Sequence, residues 1–386
     1  MLCSDLIISI CEYSKDSNYY LLNKSLYESI IMIEKGTYWK DKYNNFFKGL
    51  DKEYLILNGD YNWKREYLRV MEFGYWWSKI DNGDTLNLSI NHIKEIPKEI
   101  GNLINLNTLN FSGNQIKEIP EEIGNLFGLS DLILADNNIK KIPKEIGKLK
   151  NLIILDLSSN QIEEIPKEIG NLINLRRLDL SYNEIKKIPE EIGNLINLEK
   201  LYLWNNQIQE ITKELSNLTN IKDLDLSYNQ IKEIPKELGN LINLERLCLW
   251  DNRIKEIPKE IGNLTNLKNI NLSINKIQEI PKELGNLINL KNIDLPLNEI
   301  EEIPKELGNL INLEILNLRS NQIREIPKEL GNLINLQFLC LSGNRIKEIP
   351  KELGNLINLQ FLYLYGNKIK ETLGELNNFI NLNVTD

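Results

Sequence analysis

The residue types that most often carry chemistry are few and scattered in this sequence. The single histidine, His92, excludes a His-paired serine or cysteine nucleophile elsewhere in the chain and any site built on several imidazoles. The four cysteines, Cys3, Cys11, Cys248 and Cys340, have no metal-ligand spacing. Carboxylates occur in pairs such as Glu121-Glu122 and Glu190-Glu191. They lie in Lys/Glu-rich runs that read as solvated surface, where no cleft raises a carboxyl pKa for general-acid work. Neither of the common glycine-rich phosphate loops is present. The sequence reads as a binding protein, not an enzyme, with no cofactor and no metal.

What remains is recognition chemistry. Tyr182, Tyr202, Trp204, Tyr228 and Trp250 fall close to Arg177, Lys200 and Arg246 and to Asp179, Asp223, Asp225 and Asp251. Tyrosine and tryptophan ringed by charge are the usual composition of interface hot spots. Whether these residues share a face depends on the elements that carry them.

Those elements are set by one period. Asn recurs every 23 residues without a break from Asn91 through Asn114, Asn137 and Asn160 to Asn367, thirteen times in all. One unit reads L-I-N-L-x-x-L-x-L-S-x-N-x-I-K-E-I-P-K-E-I-G-N. In its L-x-x-L-x-L part the alternation is that of a strand, so Leu178 and Leu180 point inward and the residues between them point out. Units then stack as a parallel sheet. The Asn closes each strand, where its amide satisfies backbone groups that the turn leaves unpaired. The second half, such as Ile142-Pro143-Lys144-Glu145-Ile146-Gly147, returns along the opposite side, with Pro opening a short helical turn and Gly ending it.

This pattern resembles the leucine-rich-repeat family in its 23-residue form, from about residue 80 to the end of the chain. The resemblance implies an α/β solenoid with a curved parallel sheet on its concave side and short helical or 3-10 turns on its convex side. It also implies a protein partner bound on the concave face. Consensus positions hold such a fold, so the binding information lies where units differ. Trp204 and Trp250 take the same place two units apart, about 10 Å at the spacing of adjacent strands, and Tyr182 and Tyr228 do likewise one position later. Stacking among the aromatics for sheet stability is the competing reading. A second aromatic group, Phe338, Phe361, Tyr363 and Tyr365, lies near the end of the repeats, where capping explains it as well as binding does. Acidic residues in the middle outward position of the strands (Asp156, Asp179, Asp225, Asp294) point to a partner with basic character. One unit has Thr212 and Ser216 in place of Pro and Gly, and a bend or loosening is expected there.

Residues 1–79 contain no Pro and no repeat, yet hold ten of the fifteen tyrosines and four of the six tryptophans. They read as a small, mainly helical N-terminal domain or cap, leaving 80–386 as the repeat domain with a truncated last turn. The segment Asp5–Tyr13, then Leu22–Tyr27 and two Trp-Lys-x-x-Tyr boxes at Trp39 and Trp63, resembles an F-box weakly, without its opening Leu-Pro. That resemblance implies docking through residues 1–50 on the linker protein of a cullin-type ubiquitin ligase. Sealing the first repeat is the plainer alternative. A scaffold or regulator in a small-GTPase pathway is a further alternative, by family analogy alone.

The formal net charge is −9 over 386 residues. Residues 1–79 contribute zero, and the repeats hold 35 basic against 44 acidic side chains. An acidic solenoid does not make a nucleic-acid groove. No apolar run approaches the ~20 residues of a membrane span, and Leu6–Cys11, preceded by Asp5, is too short for a secretory signal. A reducing, cytoplasmic setting is expected, with the Asn-x-Ser/Thr triplets as accidents of an Asn-rich repeat.

Overall fold

The computed structural model describes residues 80–81 and 84–369. They form one curved sheet of fourteen strands in chain order: β1 (Ile80–Asp81), β2 (Thr85–Asn87), then one strand every 23 residues to β14 (Phe361–Tyr363). β1 runs antiparallel to β2, and every later pairing is parallel and in register, as in Leu155↔Leu178↔Leu201. There is thus one parallel strand for each Asn of the ladder. The expectations for residues 1–79, including the F-box-like segment, and for the truncated last turn lie outside the described residues.

The core follows from the alternation. In one unit Leu178, Leu180, Ile185, Ile192, Leu195 and Leu198 are fully buried. Full burial of such a side chain stabilises by about 1.5–3 kcal/mol. No unit could enclose these residues alone, so each depends on its neighbours.

The Asn ladder ties units together as its chemistry requires. Asn183 Nδ2 donates to the carbonyls of Leu180 (3.1 Å) in its own unit and Leu157 (3.0 Å) in the preceding one. Its Oδ1 accepts from the backbone N–H of Ile162 (2.9 Å), also in the preceding unit. The residue is only 8% exposed, so no water competes for these groups.

On the convex side each unit contributes a five-residue 3-10 helix, such as Lys167–Asn171. Two details differ from the sequence reading. Pro166 stands just outside the helix in extended conformation (φ −68°, ψ 145°) rather than at its first position. Gly170 is the helix's fourth residue, not its cap; the cap is Leu172. Glycine is needed there for close approach between units: a Cβ at Gly124 would stand 2.7 Å from the Glu145 carbonyl oxygen of the next unit.

Thr212 and Ser216 do not break the fold. Thr212 keeps the backbone of the prolines (φ −65°, ψ 137°), its hydroxyl bonds the Glu214 carboxylate, and the 3-10 helix Lys213–Asn217 forms as elsewhere. The sheet pairing Leu201↔Leu224↔Leu247 continues unbroken. The helix does stand less close to its C-terminal neighbour than other adjacent pairs do. The expected loosening is therefore confined to the convex side, where Ser216 supplies the Cβ that glycine spares.

Candidate binding face

The concave face is built from the outward residues of each strand and the two residues before each ladder Asn. At the first of these two places the sequence alternates Ser181, Trp204, Ser227, Trp250, Ser273 across successive strands. Ser181 and Ser227 in that row are 2% and 0% exposed. The Ser181 hydroxyl donates to Asp179 (2.7 Å), whereas that of Ser227 has no partner. These two serines are buried although their positions face outward.

At the second place the backbone is left-handed in every unit, with φ between 52° and 70°. Gly113, Gly343 and Gly366 suit it. Tyr182 (φ 53°), Tyr228 (φ 52°), Ile274 (φ 52°) and Leu297 (φ 58°) do not, because a Cβ there crowds the following carbonyl by roughly 1–2 kcal/mol. The strain holds large apolar side chains out from the sheet: Tyr182 is 45% exposed, Tyr228 42% and Leu297 52%. The sequence reading singled out the two tyrosines and missed Ile274 and Leu297. Their signal was present, since both are apolar in a column otherwise held mostly by Gly, Ser, Asp and Asn.

Four strands carry the aromatic region: β6 (Arg177–Asp179), β7 (Lys200–Tyr202), β8 (Asp223–Asp225) and β9 (Arg246–Cys248). Tyr182 meets Trp204 edge to face with ring centroids 4.2 Å apart, and Tyr228 meets Trp250 the same way, also at 4.2 Å. Such pairs contribute about 0.5–1.5 kcal/mol beyond their buried area. Mutual stacking is thus real, yet both tyrosines remain largely exposed beside their tryptophans.

The charges are mostly paired with one another. Arg246 holds Asp223 (2.8 Å) and Asp225 (3.0 Å), and Arg177 holds Asp179 (3.1 Å). The Tyr202 hydroxyl donates to Asp223 (2.9 Å), and the Arg177 guanidinium lies 5.4 Å from the Tyr202 ring centre. Burial, together with the bond to Asp223 and its charge, pushes the Tyr202 phenol up to about 12. Asp179 and Asp225 are buried in these pairs. They orient the face more than they offer charge to a partner. Lys200 is exposed, and among the described residues neither it nor Asp251 has an ion-pair partner. Farther along, burial raises the Asp294 carboxyl above its ordinary value. Among the described residues of the concave face the basic residues Arg177, Lys200, Arg246 and Arg319 stand against eight aspartates, so its formal charge is negative.

The C-terminal aromatics also gather: Phe338 and Tyr363 have ring centres 5.5 Å apart, and the Arg319 guanidinium lies 6.0 Å from the ring centre of Tyr365. A second Asn ladder escaped the sequence reading. Asn197 donates to the Ile173 carbonyl (2.8 Å), Asn220 to Ile196 (2.9 Å), and the pattern continues to Asn358 and Ile334 (2.7 Å). It lies in the exposed turn that enters each strand. Its signal is the Asn of L-I-N-L, which recurs at the same period.

Among the described residues no group of three or more His, Cys, Asp or Glu side chains could hold a metal, and no helix is long and apolar enough to cross a membrane. Cys248 and Cys340 are buried free thiols, and burial, with Asp225 beside it, pushes the Cys248 thiol up to about 12.

Comparison with known proteins agrees with this geometry. A family model described as a leucine-rich repeat region matches residues 121–233, 212–295 and 298–386, and a leucine-rich-repeat model matches 105–126. No curated protein matches the chain. Among solved structures, a leucine-rich-repeat protein of Leptospira interrogans is 36% identical with a TM-score of 0.67, over 80% of this chain and 86% of that one. A plant peptide hormone receptor solved in complex with its peptide is 35% identical with a TM-score of 0.72, over 78% of this chain and 51% of the receptor. The chain thus matches about half of the receptor's length. An internalin of Listeria monocytogenes is 28% identical with a TM-score of 0.69, over 78% of this chain and 87% of that one. The fold and these likenesses support a protein-binding scaffold. A strand for every ladder Asn, a 3-10 turn behind each strand and family models spanning most of the repeats lead to one assignment: the chain belongs to the leucine-rich-repeat family.

Proposed function

We propose that this protein is a scaffold that binds a protein partner on its concave face, centred on Tyr182, Trp204, Tyr228 and Trp250. The observation that carries the reading is the strained display of large side chains. Tyr182 and Tyr228 hold left-handed backbone that favours glycine and remain more than two-fifths exposed. Every unit imposes that backbone, so a side chain as large as tyrosine there carries a cost that glycine would spare. The neighbouring ion pairs hold the floor of the face rigid, which lowers the entropy lost on binding. The plant receptor's complex with a peptide hormone adds support for a peptide or protein ligand. The free thiols Cys248 and Cys340 support a reducing, intracellular setting.

The test is the double variant Trp204→Ala, Trp250→Ala. It keeps every core leucine and the Asn ladder, so far-ultraviolet circular dichroism should not change. Affinity for a partner captured by the wild type should fall by about 30-fold or more, the ~2 kcal/mol expected of hot-spot aromatics. Full affinity in the variant would refute the assignment of the face.

A further inference from the structure

The Tyr-Trp pair is one device present twice. Leu178-Asp179-Leu180-Ser181-Tyr182-Asn183 recurs unchanged 46 residues later as Leu224-Asp225-Leu226-Ser227-Tyr228-Asn229. Each copy is followed one unit later by its tryptophan, and the two ring geometries agree, at 4.2 Å and 65° against 4.2 Å and 69°. Ile274 takes the tyrosine's place a third time, again 46 residues on and again at positive φ. The face therefore has a period of two units along the solenoid axis. At the spacing of adjacent strands that is about 9.6 Å.

That length selects a ligand conformation. A polyproline II helix has three residues per turn and rises about 3.1 Å per residue, so it repeats every ~9.3 Å. Its residues i, i+3 and i+6 would meet successive copies of the device, and the residues between would point away. A β-strand presents the same face every ~6.8 Å and falls out of step. An α-helix approaches the period only at i+7, about 10.5 Å, and its backbone groups are already bonded to one another.

The hydrogen-bonding groups separate the polyproline II helix from the α-helix. Among the described residues nothing accepts a bond from the hydroxyls of Tyr182 and Tyr228 or the indole N–H of Trp204 and Trp250. Indole N–H is a donor only. A polyproline II segment keeps its carbonyls free to accept, and aromatic-lined grooves are a recurring way to bind such segments. Beside Trp250 the unpaired carboxylate of Asp251, in a face of negative formal charge, suits a basic side chain.

We propose that the concave face binds an extended, proline-rich segment of a partner in polyproline II conformation. The segment lies along the solenoid axis, with apolar residues at i and i+3 on the two Tyr-Trp pairs and a basic residue at Asp251. This rests on the binding face proposed above and specifies its occupant.

The experiment is fluorescence anisotropy with the full chain and three labelled peptides of equal length, each ending in two arginines. The first is otherwise all proline, the second Gly-Ser, and the third an Ala-rich helix with leucines at i and i+7. The proline peptide should bind at least about tenfold tighter than the others. Trp204→Ala and Trp250→Ala should each weaken it about tenfold. Trp→Phe at both sites, which keeps the rings but removes the donors, should weaken it severalfold. Helical or Gly-Ser binding as tight as that of the proline peptide would overturn the proposal, as would proline binding indifferent to both tryptophans. If Trp204→Ala, Trp250→Ala abolishes capture of the protein partner while the proline peptide fails to bind, this proposal falls and the binding face stands.

Discussion

Two ladder asparagines make the same kind of bond in different surroundings, and their replacement separates burial from bonding. Asn298 Nδ2 donates to the carbonyls of Leu272 (3.0 Å) and Leu295 (3.1 Å), while its Oδ1 accepts from Ile277 N–H (3.0 Å), in a site 8% exposed. Asn312 Nδ2 donates to the Ile288 carbonyl (2.9 Å) on the exposed turn. Asn298→Ala leaves backbone groups of both units dry and unpaired. At about 1–3 kcal/mol for each of the three orphaned groups, the loss should be at least about 3 kcal/mol. Asn312→Ala exposes its carbonyl to water, which replaces the lost bond, so the cost should be about 0.5–1 kcal/mol. Urea unfolding followed by circular dichroism measures both, and hydrogen exchange at the Ile277 amide reports whether the first loss is local. A solenoid can unfold in parts, so the comparison uses the transition of the units around β11 (Asn292–Asp294) rather than one global value. Equal effects from the two replacements would refute the claim that the inner ladder stabilises the fold by satisfying buried backbone.

Further outcomes follow from other sites. Gly124→Ala would place a Cβ 2.7 Å from the Glu145 carbonyl oxygen and should cost about 1–3 kcal/mol in urea unfolding. Gly354→Ala meets nothing within 4 Å among the described residues and should be neutral or stabilising by up to ~1 kcal/mol. For Tyr202, whose phenol is raised to about 12, the neutral form is favoured by the fold. Its contribution should be intact below the ordinary tyrosine value of about 10 and lost as pH rises through the folded value. The phenolate absorbance titration of the wild type minus that of Tyr202→Phe should show the shift. Cys248 and Cys340, at 5% and 6% exposure, should stay unmodified by iodoacetamide in the native chain and react on unfolding, as mapped by peptide mass.

Much of this architecture was legible in the sequence because the scaffold is repetitive. Leu178 and Leu180 announce a strand by alternation, and the inner Asn ladder announces its own role because buried backbone leaves it no other. The roles of Pro166 and Gly170 were misplaced by reading each unit alone. Glycine there answers to the carbonyl of Glu191 in the next unit, a contact that only stacking creates. The outer ladder of Asn197 and Asn220 has the same period but sits in an exposed turn, where polarity alone accounts for an Asn. The aromatics stand out in the sequence as departures from consensus, and the stacking weighed there as the competing reading is present in the pairs Tyr182–Trp204 and Tyr228–Trp250. Asp179 and Asp225 look like free charge until Arg177 and Arg246 are seen to cover them. Ile274 and Leu297 went unnoticed because nothing local says that the residue before each Asn must be left-handed.

The most direct test of the binding face is site-specific photocrosslinking in the native cell. Benzoylphenylalanine at Ile274, on the concave ridge, should capture one protein, and the same group at Lys236, exposed on the convex side, should not. Adding Trp204→Ala, Trp250→Ala should abolish the adduct. An adduct formed equally from Lys236, or one that survives the loss of both tryptophans, would contradict the account.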